Sequence, residues 1–247
     1  LNEVIQSLLS HRSVRSYENK PVDEKELDQI IQAVQTAPNW INGQQFSIIA
    51  VKDTERKKKL AELCGGQKHI AEAPVFLIFC ADFYRTYLAS QMEDKSMEAI
   101  FDIDTLIVGA TDVGIALGTA VAAAESLGLG TVPIGGIRRN GLEVIKELNL
   151  PPYVIPVSGL CIGHPAQVPD QKPRLPKEAV YHTETYQQEL MPLLEQYNDT
   201  YKKYLEEREQ NNRSSTWTES VANFFSKSYY HGIAEMLKQQ KFPGGEK

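Results

Sequence analysis

The sequence predicts an α+β protein: a sandwich core of interleaved strands and helices, followed by a helical C-terminal extension. Four short apolar runs, at 46–51, 75–81, 131–134 and 154–162, read as strands. Helical patterns alternate with them through the first 165 residues. After a polar, proline-containing stretch at 167–176, the chain carries helical patterns alone. That change of composition divides it into a core, 1–165, and an extended basic arm with helices, 166–247, belonging to the same domain.

Each element has a local reason. Residues 2–10 form a short amphipathic helix with Val4, Ile5, Leu8 and Leu9 on one face. A basic turn follows, His11-Arg12-Ser13-Val14-Arg15. Asp23 with Glu26 three residues on is a capping box, and Leu27, Ile30, Ile31 and Val34 continue at helical spacing to about Thr36. Ala37-Pro38 breaks that helix. After the first strand, residues 54–63 read as a charged surface helix that Gly65-Gly66 ends. The run at 75–81 is apolar throughout, as a central strand is. Residues 83–97 look helical with weak patterning. Residues 103–127 form the longest apolar helix, rich in small residues such as Gly114, Gly118 and Ala120, with Gly128 as terminator. Its all-round apolarity predicts burial on every side, within a large domain or a dimer core. A helix at 141–149 separates the last two strands. In the extension, Leu190, Leu193, Leu194, Tyr197, Tyr201 and Tyr204 share a helical stripe, and two shorter helices follow near 218–225 and 230–240.

A chain of 247 residues buries a core without staples. A net charge of −6 argues against nucleic acid as the main partner. Cys64, Cys80 and Cys161 are odd in number and widely spaced, so neither a disulfide framework nor a zinc site is expected, and the compartment reads as reducing. No signal peptide is visible at the start, which lacks Met. A membrane span at 105–124 is disfavoured by Asp112 near its middle and Glu125 just beyond it. The expected location is the cytoplasm.

No P-loop, G-x-G-x-x-G, H-E-x-x-H or nucleophile signature occurs. Redox chemistry carried by a cofactor stays open. Four segments stand out. The basic turn at 11–15 places two arginines around a serine hydroxyl, a set suited to a phosphate; a solvated turn is the equal alternative. Lys172-Pro173-Arg174-Leu175-Pro176 aims two cations from a stiff backbone, though a linker has the same composition. Ile134-Gly135-Gly136 after a strand lets a planar ring approach backbone N–H groups, as does many an ordinary turn. Asn39, Trp40, Asn42 and the more distant Gln67 offer amide edges that match a pyrimidine ring or serve as turn chemistry.

Together these segments, with Gly65-Gly66-Gln67, Ala124 to Gly130 and Ile162-Gly163-His164-Pro165, resemble the nitroreductase superfamily in its NADPH-dependent FMN reductase branch. The resemblance spans essentially the whole chain. It implies a central, mostly antiparallel sheet flanked by helices, an interlocked homodimer, and non-covalent FMN in each of two interface clefts. It assigns His11, Arg12, Ser13, Arg15, Asn39, Trp40, Asn42, Gln67, Ile134, Gly135, Gly136, Lys172 and Arg174 to FMN. It leaves Trp40, His69, Arg138, Arg208 and Arg213 as candidates for NADPH or substrate. No protein acid or base and no metal is implied, since hydride passes between stacked rings. The implied activity is ping-pong transfer from NADPH to free flavin, nitroaromatic, quinone or similar acceptors. The alternative is a flavin-binding or delivery protein of low turnover. The chain departs from the family pattern where Asn39-Trp40 replaces paired serines and where His69 replaces a larger aromatic. Residues 83–97 are a candidate lid.

Overall fold

The computed structural model describes residues 1–208 and 212–243, and the chain divides into two compact units. One comprises Leu1–Val168 with Tyr230–Lys247; the other is Pro169–Tyr229.

The first unit is built on one four-stranded, wholly antiparallel sheet, β1 (Phe46–Val51), β2 (Val75–Asp82), β3 (Gly130–Ile134) and β4 (Val154–Gly163), in the order β1-β2-β4-β3. Every residue of β2 is buried, as its unbroken apolar run predicts for a central strand. Helices cover both faces. On one side, α2 (Glu24–Gln35) and α6 (Ile103–Ser126) pack with Leu77, Phe79 and Leu160. On the other, α3 (Thr54–Leu63), α4 (Lys68–Glu72) and α7 (Gly141–Leu148) close over Phe76, Ile78 and Cys161. The capping box at Asp23 and Glu26 starts α2, and Gly128 at φ +78° follows α6. The short α4 has no counterpart in the sequence reading: five residues are too few for a periodicity.

The helix α10 (Ile233–Gln239) returns to this unit, where Met236 lies against Gly141 and Phe242 meets the edge of Phe83. Between β2 and α6, α5 (Tyr84–Met92) is shorter than the helical reading of 83–97 and gives way to a 3-10 turn at Glu98–Phe101.

Two apolar surfaces depart from expectation. The α1 helix (Glu3–Leu9) forms, yet Val4, Ile5, Leu8 and Leu9 are all exposed. The burial expected for α6 is met within one chain on one face only: its buried residues, Gly109, Asp112, Val113, Ala116, Ala120 and Ala124, make one stripe. The sheet and α2 cover only that face within one chain. Ile103 and Ile107 stay exposed on the remainder, and a Cβ added at Gly114 or Gly118 would meet nothing within 4 Å.

In the second unit, α8 (Met191–Glu207) buries Tyr197, Tyr201 and Leu205, one residue per turn, against Leu175 and Trp217. Leu190, Leu193, Leu194 and Tyr204 of the expected stripe are half-buried. The following α9 (Trp217–Phe225) starts at a Thr216–Glu219 capping box and is tied to α8 by Asn198, whose side chain pairs with the Thr218 backbone and hydroxyl.

Candidate flavin site

Three groups of candidate residues emerge. The first lies along the free edge of β3. Ser13 bridges to Thr131 in parallel, the Val14 N–H donates to the Thr131 carbonyl at 2.9 Å, and Tyr17 bridges to Pro165. These contacts fasten the basic turn beside the strand that ends in Gly135-Gly136. His11 is fixed by Glu125 at the end of α6: Nδ1 and Oε1 are 2.7 Å apart, and the same oxygen accepts the Thr131 hydroxyl at 2.7 Å. The Arg12 guanidinium donates to the Ser10 carbonyl at 2.8 Å, and exposed Arg15 reaches the Ser13 carbonyl at 3.4 Å.

Arg15 also lies close enough to His69 to repel a proton from it. Burial first, and this cation second, push the imidazole below its ordinary range, while Glu72 opposes them. His69 Nε2 is buried and has no hydrogen-bond partner. Gln67, two residues earlier, donates to the Cys64 carbonyl at 2.9 Å and packs against Gly136, where any Cβ would collide with its amide and with that carbonyl. Ile134 is buried, whereas Gly135 is exposed, and a Cβ on Gly135 would meet only Arg138 Nη2, at 3.6 Å. Arg138 turns its other terminal nitrogen onto the Val157 carbonyl. Cations, a hydroxyl, an imidazole and an open glycine turn are thereby gathered at one sheet edge.

The second group is Asn39, Trp40 and Asn42, in a 3-10 turn before β1. The Trp40 N–H donates to Asp112 Oδ1 on α6 at 3.2 Å. Asp112 is thirteen residues before Glu125 on the same helix, about 20 Å along its axis at 1.5 Å per residue. Within one chain this turn therefore stands far from the first group.

The third group is in the second unit. Lys172 and Arg174 line a cavity of about 840 Å³ with Leu175, Tyr197, Trp217 and Phe224. The Arg174 guanidinium donates to the Lys172 carbonyl at 2.9 Å, and the Tyr197 hydroxyl donates to the Pro173 carbonyl at 2.8 Å, which pins the arm to α8. Arg208 follows α8 and Arg213 donates its backbone N–H to Leu205; neither lines that cavity.

The Nitroreductase family model matches residues 8–164, and its C-terminal domain model matches 172–244. The chain belongs to the nitroreductase family. Among relatives of this nitroreductase is an FMN reductase [NAD(P)H] of Bacillus subtilis, 53% identical over 98% of each chain. An oxygen-insensitive NADPH nitroreductase of Salmonella typhimurium is 37% identical over 97% of this chain and 98% of its own. Among solved structures, that of NfrA2 from B. megaterium superposes with a TM-score of 0.97 over the whole of both chains, at 47% identity.

Three acidic or basic residues that hold the candidate groups in place, Glu125, Asp112 and Arg85, have no such role in the sequence pattern. In the sequence, Asp112 and Glu125 argue only against a membrane span. An acidic residue inside an apolar, small-residue helix was the available signal, because such a group needs a partner when buried. Arg85 carried none.

Proposed function

We propose that this chain is an FMN-dependent oxidoreductase that takes hydride from NADPH and reduces free flavin, nitroaromatic or quinone acceptors, acting as a homodimer in the cytoplasm. The observation that carries the reading is the group at the β3 edge. Its chemistry fits the cofactor: Arg12, Ser13 and Arg15 suit a dianionic phosphate, and His11, oriented by Glu125, adds a further donor. Gly136 leaves no space for a Cβ and Gly135 exposes its backbone, so a flat ring can lie against the turn. Gln67 beside Gly136 offers an amide to the ring or ribityl chain, and the unpartnered His69 Nε2 is a polar atom awaiting one. Bound FMN supplies the redox chemistry, accepting hydride from NADPH and releasing it to an acceptor that docks in the same place.

The protein's own task is placement. With FMN bound, backbone N–H groups at the glycine turn would donate to the ring. By resemblance to the family, Lys172 and Arg174 are assigned to FMN, and Arg208 and Arg213 are candidates for NADPH or substrate. Residues 1–165 form the flavin core and 166–247 the arm and extension. The separation of Asn39, Trp40 and Asn42 from the basic turn supports the dimer: a second copy brings its own 39–42 turn to the first copy's β3 edge, along the exposed face of α6.

The test is spectroscopic. The purified protein is expected to be yellow, to bleach on anaerobic addition of NADPH, and to recover colour when nitrobenzoate or menadione is added. A colourless protein that stays inert with added FMN rules the proposal out.

A further inference from the structure

The edge strand β1 begins under a cap. The Gln45 carbonyl accepts the Asp82 N–H of β2 at 3.1 Å, so the carbonyls on either side of it, at Gln44 and Phe46, turn to the free edge of the sheet. Edge carbonyls lack the donors that a further strand would supply. Arg85, from the first turn of α5, supplies them. Its Nη2 donates to the Gln44 and Phe46 carbonyls at 2.6 and 2.7 Å. Its Nη1 donates to the Ser47 hydroxyl and to Asp82, both at 2.8 Å. The Asp82 carboxylate also accepts the Ser47 hydroxyl and, at 2.9 Å, the Tyr84 N–H, which aims the guanidinium. A planar fork reaches all four oxygens at once; a single ammonium does not.

The segment that this cap ends is the turn 39–44. Ile41, Asn42 and Gln44 adopt left-handed φ, at 49°, 55° and 53°. For a β-branched residue such as Ile41 that conformation is a rare outlier, and it persists only where the surroundings over-determine it. Asp112 Oδ1 holds the Trp40 N–H at 3.2 Å, and Asn39 Oδ1 holds the Gln44 N–H at 2.9 Å. A Cβ on Gly43 would collide with the side-chain amide of buried Gln45, so the turn is seated closely on it. Arg85 grips the far end, at a residue that is itself left-handed. Without that grip, Gln44 is free to relax to negative φ and to release the turn with it.

We propose that Arg85 is a positioning residue for the flavin site: by capping the edge carbonyls of β1 it keeps the 39–42 turn in the strained conformation that receives FMN. The inference rests on the flavin-dependent reading above, in which Asn39 and Asn42 offer their amides to the ring. Arg85 acts through the backbone and makes no contact with the cofactor itself. A turn held in its binding conformation before the ligand arrives needs no reorganisation on binding. With the grip removed, only a fraction of molecules present that conformation, and the apparent affinity falls by the same fraction. The loss belongs to association, because a relaxed turn re-forms before FMN seats, while the seated complex keeps its contacts.

The test follows FMN binding to the full chain, stripped of flavin, by stopped-flow quenching of flavin fluorescence, which gives both rates. Arg85→Ala is expected to bind FMN about tenfold more slowly with dissociation little changed. Arg85→Lys keeps the charge beside Asp82 and serves where Arg85→Ala fails to fold; it shows the same slow association, because one ammonium does not span the carbonyls. Ethylguanidinium at millimolar concentration restores the association rate of Arg85→Ala, whereas ethylammonium, of equal charge, does not. A general loss of stability would instead be worsened by guanidinium, which is denaturing. A wild type that binds no FMN overturns this inference together with the functional reading. A wild type that binds FMN overturns the inference alone in any of four cases: both variants associate as fast as the wild type, they lose FMN through faster dissociation (a cofactor contact), ethylguanidinium rescues nothing, or the variants become monomeric on light scattering (a support of the interface).

Discussion

At the scale of single residues, one carboxylate oxygen of Glu125 accepts from both His11 and the Thr131 hydroxyl, and Thr131 is fully buried. Removing the acceptor leaves a buried hydroxyl unpaired and frees the imidazole that opens the basic turn. Glu125→Ala is therefore expected to lower stability by about 1–3 kcal/mol and to weaken FMN binding about tenfold. Urea melts of the apoprotein and FMN fluorescence titrations measure the two effects. Glu125→Gln, which keeps the acceptor oxygen, should recover most of both; an FMN affinity that ignores Glu125→Ala would show that His11 needs no orientation. His69 makes a prediction about pH. Burial, with Arg15, depresses its pKa in the folded chain, so as pH falls through about 6.5 the unfolded chain takes the proton first. Stability is then lost as pH drops below that value, and no penalty exists above it. His69→Gln should accordingly lose less melting temperature than the wild type between pH 8 and pH 5. Identical losses in the two proteins would contradict the assignment. The same depression keeps the ring neutral at pH 7, a hydrogen-bonding group rather than a second cation beside Arg15.

At the scale of elements, the basic turn is held to β3 by one close approach. A Cβ on Gly130 would stand 2.8–2.9 Å from three carbons of the Val14 side chain, which is β-branched and stiff. Gly130→Ala should push the turn off the strand, so that FMN affinity falls more than tenfold while the far-ultraviolet circular dichroism persists. Val14→Ala in the same protein should restore much of the affinity by vacating the space. If the double variant binds FMN no better than Gly130→Ala, the turn is not seated through this contact. Such contacts mark the limit of what the sequence discloses. Strands at 46–51 and 75–82 and helices at 24–35, 54–63 and 103–126 were legible because each follows a local rule, an apolar run, the period of 3.6, a capping box, or a glycine stop. The pairing of Gly130 with Val14, of Gly136 with Gln67, and of Arg85 with the carbonyls at 44 and 46 joins residues distant in sequence, and no periodicity encodes it. The left-handed Ile41 was illegible for a different reason: its propensity opposes the conformation, and tertiary hydrogen bonds override it.

At the scale of the whole molecule, the exposed face of α6 bears on the proposed dimer. Its apolarity foretold burial, and one chain buries only a stripe. Isoleucines at 103 and 107 and bare glycines at 114 and 118 remain, together with the open face of α1. An exposed apolar surface of this extent marks an interaction face. The glycines make the consequence testable, because they have room in the single chain and would have none where two backbones approach closely. Gly118→Leu has room at its Cβ in the isolated fold: no atom outside the local helix backbone lies within 4 Å of it, and leucine favours the helix by about 0.8–1 kcal/mol over glycine. In a dimer packed across this face the same side chain obstructs the approach. The variant should therefore remain folded and helical yet elute as a monomer on light scattering. It should also lose FMN, since the proposed site would draw the 39–42 turn from one copy and the basic turn from the other. Restoration of flavin binding at high protein concentration would follow from mass action. A Gly118→Leu protein that stays dimeric and yellow would mean that the two copies meet elsewhere and that each chain completes its flavin site without this face.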